Sequence, residues 1–188
     1  NKKYELIIDP ILIFASYSGS IADNFGMTAT YGYDGSLFSG GTAFSMGYPT
    51  TLGAFDVTYN GAVSIGITDV VISRYNSTGS NLIYSTYIGG AQAETVHSII
   101  ANSNNELYIY GTTGSTDFPV TPGAYDQYFN GGSYLFFSSN GTLFNNGTDI
   151  YVTKLNSTGT NLIGSTYIGG SQNDGVNYNI SQTYSYLM

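Results

Sequence analysis

Four aspartates fall at matched places in the chain. Asp56 and Asp126 each follow a Gly-Ala-aromatic step, and Asp69 and Asp149 each open a β-branched or aromatic run. Carboxylates repeated in this way could supply oxygen ligands to calcium. The dense Asp-x-Asp spacing of a calcium loop is missing, however, and Asp is the usual side-chain acceptor for backbone amides in turns. A turn role is expected, with no metal site. His97 is the only histidine. A general base needs a nucleophile to serve, and none is marked out beside it, so a strand-surface residue is expected. Paired carboxylates can hydrolyse glycosides, but Glu94 aligns with Asn24 and Asp174, as a turn position would. No phosphate-cradling glycine loop is present. The reading is no catalytic residue, no cofactor and no enzyme.

Two further groups of residues bear on modification and contact. Asn76, Asn140, Asn146, Asn156 and Asn179 each open an Asn-x-Ser/Thr triplet, the acceptor pattern for N-glycosylation in secreted proteins. The same residues make good turns. In "SYLFFSSNGTLFNNG", residues 133–147, Asn140–Gly141 stands between two apolar-bearing arms, a strong hairpin signal. Tyr134, Leu135, Phe136, Phe137, Leu143 and Phe144 would ride on that hairpin. Left exposed they would form a partner contact; folded back they would cover apolar surface, and the second arrangement is favoured.

Composition excludes several partners. Hydrophobic residues make up 41% of the chain, enough for a core, but only 9% are charged, against about 25% in typical soluble domains. Hydrogen-bonded turns and tyrosine packing must replace salt bridges. A net charge of −8, with Lys2, Lys3, Arg74 and Lys154 as the only Lys and Arg residues, argues against nucleic acid and anionic membrane surfaces. No apolar run approaches the roughly 20 residues of a membrane helix, so no membrane insertion is expected. "NKKYELIIDP" does not read as a signal peptide and is expected to be a processed end or an edge. Cysteine is absent, which removes disulfides, thiolate zinc and thiol nucleophiles. The Asn-, Ser-, Thr- and Tyr-rich polarity suggests an extracellular or cell-surface location.

The elements that position these residues are repeated. "NLIYSTYIGG" at 81–90 returns as "NLIGSTYIGG" at 161–170, and 13 of 17 positions agree between Arg74–Gly90 and Lys154–Gly170. From Leu12 to Gly61 the offset is 70 residues; beyond Thr68 it is 80, so ten extra residues lie between Gly131 and Thr148. Each copy reads as four short strands separated by turn residues. The spacing predicts Phe25–Thr30, Leu37–Thr42, Asp69–Tyr75 and Leu82–Tyr87, then Val96–Ala101, Leu107–Thr112, Asp149–Leu155 and Leu162–Tyr167. No segment sustains a helical period. Four-stranded units at this period suggest propeller blades, with long connections at 43–67 and 113–147 that are expected to meet partners.

"YIYGTTGSTDFPVTPGAYDQYFNGG" followed by "DIYVTKLNSTGTNLIGSTYIGG" resembles the bacterial-type β-propeller repeat often called SBBP. The first copy is looser, with "MGYP" at Met46–Pro49 where "TDFP" stands at Thr116–Pro119. The resemblance implies a secreted or surface-displayed repeat protein and transfers no catalytic residue. The expected architecture is all-β, built of propeller blades of four antiparallel strands. Residues 1–17 would end a preceding blade, 18–87 and 88–167 would form two complete blades, the second with the 133–147 insertion, and 168–188 would begin another. Two blades and a fraction cannot close a ring of four to eight. Either the array runs on, or neighbouring copies complete the partial blades. The expected function is a non-catalytic extracellular structural or adhesive module that assembles with other copies or cell-surface components. The alternatives are a filament subunit whose terminal strands complete a neighbour's blade, and a propeller that binds or cleaves glycans.

Overall fold

The structure is a computed structural model and describes residues 12, 14–62, 64–138, 140–177 and 186–187. Among them there are strands and turns and no helix. β1 (Asn24–Tyr31), β2 (Leu37–Ala43), β3 (Asp69–Tyr75) and β4 (Leu82–Ile88) form one antiparallel sheet in chain order. β5 (Glu94–Ala101), β6 (Leu107–Thr113), β9 (Asp149–Leu155) and β10 (Leu162–Ile168) form a second sheet in the same order. Between β6 and β9 the ten-residue insertion makes a hairpin of β7 (Leu135–Phe137) and β8 (Thr142–Phe144). A short pair, β11 (Val176–Asn177) and β12 (Tyr186–Leu187), follows.

The strands follow from alternation and turn chemistry. Asn76 and Asn156 open the same tight turn in each unit, where each backbone amide donates to the carbonyl of the Asn five residues on, at 3.0 Å. β3 reads "DVVISRY" and is buried on both faces, as a near-continuous β-branched run predicts. One of its faces meets the second sheet. There Phe38, Ile72 and Tyr84 pack with Ile99, Leu107 and Leu155 in a single cluster, each such side chain contributing about 1.5–3 kcal/mol by burial. Its other face meets Tyr48 and Tyr87.

The sheets stack like over like. β5, the first strand of its unit, lies against β1, β2 and β3. One contact marks the repeat of this step. The Tyr84 ring packs on Gly159 in the following unit, and the Phe14 ring, 70 positions earlier, packs on Gly79, the equivalent glycine. Both glycines have left-handed φ, 67° and 71°, and at both a Cβ would run into the ring. The turn therefore needs glycine twice over.

The long connections are not free loops. Thr51 N donates to Ser85 O at 3.0 Å and Tyr87 N to Asp56 O at 2.9 Å; in the second unit Thr121 N meets Ser165 O at 3.0 Å and Tyr167 N meets Asp126 O at 3.1 Å. Each connection thus binds the outer strand of its own sheet and covers an edge that would otherwise invite pairing.

Candidate functional site

Repeat equivalence identifies the faces open to a partner. The face of the first sheet that the second covers carries Phe38, Ile72, Arg74 and Ile88. Their counterparts on the outward face of the second sheet are Tyr108, Val152, Lys154 and Ile168. Phe38 and Ile88 are fully buried, whereas Tyr108 and Ile168 are 42% and 43% exposed. Ile100, beside Tyr108 in the sheet, is also exposed. Tyr108, Val152 and Lys154 line a shallow cavity of about 290 Å³.

Arg74 shows how such a face engages the next unit. Its guanidinium donates to Ser157 O in the β9–β10 turn at 2.6 Å, to Ser36 Oγ at 3.1 Å and to Asp34 at 2.7 Å, while lying over the Phe38 ring. The bond to Ser157 crosses from one sheet to the other. Lys154 repeats the arrangement within its own sheet, pairing with Glu106 at 2.5 Å over the Tyr108 ring.

The chain crosses between sheets at Gly89–Ala93, and here two carboxyls are fully buried. Glu94 N donates to Thr68 O and Thr68 Oγ1 to Glu94 O, both at 2.7 Å. Asp174 and Thr148 repeat this pair at 2.8 and 2.9 Å, just before β11. The Glu94 carboxylate accepts from Thr113 Oγ1 at 2.6 Å and Gly90 N at 2.9 Å. Asp69 Oδ2 accepts from Asn60 N at 2.7 Å. The Gly61 amide leans toward the same carboxyl, but Asp69 Oδ1 completes no hydrogen bond. Burial pushes the Asp69 carboxyl up to about 7. Burial, and then the Asp69 charge, push that of Glu94 up to about 8.

The other recurrent aspartates serve turns. Asp56 Oδ1 accepts from Thr58 N at 2.8 Å, and Asp126 Oδ1 from Tyr128 N at 2.9 Å. Asp149 accepts from Asn130 N at 2.7 Å and Gly131 N at 3.0 Å. No group of three or more potential metal ligands of the His, Cys, Asp or Glu type occurs among the described residues. His97 sits in the β5 bulge, its Nε2 between Thr95 Oγ1 and Thr112 Oγ1 and its ring edge-on to Tyr110. Burial lowers its pKa to about 4.

In the insertion, Leu135, Phe137 and Phe144 are buried with Ala93, while Tyr134 and Phe136 are exposed. Leu143 is half-buried, and its amide donates to Gly66 O at 2.7 Å. The hairpin thereby ties the second unit to the long connection of the first. Asn76 and Asn156 are half-buried in exposed turns; Asn140 is half-buried and Asn146 exposed, and Asn179 lies outside the described residues. Sequence reasoning missed Glu94 as a buried group because its counterparts, Asn24 and Asp174, mark a polar position.

No protein-family model matches the chain, and a search of curated proteins found no match. Among the described residues no helix is long and apolar enough to cross a membrane.

Proposed function

We propose that this chain is a non-catalytic structural or adhesive module of SBBP-type propeller blades, working outside the cell and assembling through the faces of its sheets. The observation that carries the reading is the exposed counterpart face. Tyr108, Val152 and Ile168 stand where Phe38, Ile72 and Ile88 are covered by the following unit. An apolar sheet face of this kind is a docking surface, and a head-to-tail contact between unlike faces propagates into rings or filaments. The low charge and the sequon-bearing turns fit a secreted setting.

Sedimentation velocity across a concentration series tests this. The wild-type protein is expected to associate, and Tyr108→Asp or Ile168→Asp to abolish association while leaving the far-ultraviolet circular dichroism unchanged. A wild-type protein that stays monomeric throughout would remove the reading. The repeated pair at Asp174 and Thr148 and the Phe14 ring over Gly79 favour a filament form of the same idea. Linear polymers in electron micrographs would select it over closed oligomers.

A further inference from the structure

The crossing between the two sheets holds two carboxyls, Asp69 from β3 and Glu94 from β5, each with no exposed surface. They converge on one point. A Cβ built on Gly89 would stand 2.6 Å from Asp69 Oδ1 and 2.7 Å from Glu94 Oε2. Both oxygens therefore crowd the same side of Gly89, where any other residue would carry its side chain.

Among the described residues no cationic side chain faces the pair. The titratable groups around it are Asp56 and Tyr59 from the β2–β3 connection, Tyr87 from β4, Asp117 from the loop after β6, Tyr151 from β9 and Tyr167 from β10. All are acids or phenols. Arg74 lies at the far end of β3, bound to Asp34, and Lys154 at the far end of β9, bound to Glu106. No cation among the described residues reaches the junction. Two buried like charges with no counterion cost far more than a retained proton.

We propose that Asp69 and Glu94 form a proton-operated latch between the two units, closed while the pair keeps its protons and loosened when it gives them up. The closed latch holds the Glu94–Thr68 hydrogen bonds that set the second sheet against the first. Ionisation sets two charges against each other beside Gly89 and loosens this crossing before the sheets themselves.

The direction with pH follows from where the proton is held. The folded chain keeps a proton on Glu94 to about pH 8, whereas an unfolded glutamate loses it near pH 4. Stability is therefore fullest in acid and is lost as pH rises to about 8, at about tenfold in the folding equilibrium per pH unit per group. Asp69 has the same sign up to about 7. His97 has the opposite sign, between about 4 and the ordinary histidine range. Between pH 7 and 8 most of the slope therefore comes from Glu94, with a smaller share from Asp69.

Urea unfolding of the full chain at pH 7 and pH 8 tests the latch, together with amide exchange at pH 8.5. The wild-type folding equilibrium is expected to fall about fivefold more than that of Glu94→Gln over this interval. Exchange at the residue-94 amide is expected to be at least tenfold faster in the wild type than in the variant, with the Ile72 amide unchanged. Equal pH slopes in the two proteins would overturn the proposal, as would exchange that quickens uniformly through both sheets. A shift of the wild-type transition by millimolar calcium or by EDTA would overturn it in favour of a bound divalent ion. If Glu94→Gln does not fold, Asp69→Asn keeps the test, because it should lose the corresponding slope between pH 6 and 7; an unaltered slope there counts against the latch.

Discussion

A single side chain sets the spacing at each unit boundary. The Tyr84 ring lies flat on Gly159, whose φ of 71° a residue with a Cβ adopts only under strain. Gly159→Ala therefore meets two penalties, steric and conformational, and should destabilise the protein by about 2 kcal/mol, read from urea denaturation. Tyr84→Ala loses core packing of its own, but the double variant should lose less than the sum of the two single losses, because removing the ring removes the clash. Additive losses in the double variant would show that the ring and the glycine act independently. Arg74 works at the same boundary with different chemistry, joining Asp34 of its own sheet to Ser157 O of the next. The sequence shows Arg74 and Lys154 as equivalent, but only the structure shows that the first bridges two units and the second stays within one.

At the level of elements, the insertion hairpin is a strap. Its buried aromatics, Phe137 and Phe144, meet edge-on at 5.8 Å, and Leu143 N reaches across to Gly66 O. Phe144→Ala should cost about 3–5 kcal/mol if the hairpin contributes to the common fold, measured by the thermal transition. A change under about 0.5 kcal/mol, within the range of surface substitutions, would mean that the hairpin merely rests on the surface. The eight sheet strands were legible in the sequence to within two residues, because turn residues bracket each short apolar or aromatic stretch and the repeat supplies every boundary twice. Asn140–Gly141 likewise announced the hairpin, where the Gly141 amide closes the turn on Phe137 O at 2.8 Å. The path of the long connections was not legible. Thr51 and Asp56 bind the outer strand through backbone groups and two threonine hydroxyls, Thr51 Oγ1 and Thr86 Oγ1, across 30 or more positions. Such bonds leave no period and no motif. The burial of Glu94 was hidden for a related reason, since it arises where two units meet and not within either.

For the whole molecule, the decisive fact is that the main core belongs to neither sheet alone. Phe38, Ile72 and Tyr84 are buried in one cluster with Ile99, Leu107 and Leu155 of the second sheet. A fragment of residues 1–93 should therefore lack dispersed amide signals in a proton–nitrogen spectrum. Well-dispersed signals would show that one unit folds by itself and that stacking is secondary. Repeat arrays whose units bury their faces only against neighbours behave in the first way, with stability residing at the interfaces.

Tyr84 has no ring at its second-unit counterpart, Gly164, whereas Gly40 is matched by a tyrosine at Tyr110. The bulky spacer has moved from the last strand of the unit to its second strand. A unit stacked on the second sheet would therefore meet a ring over the second strand, where the first sheet offers its ring, Tyr84, from the last strand, so the two faces are not interchangeable.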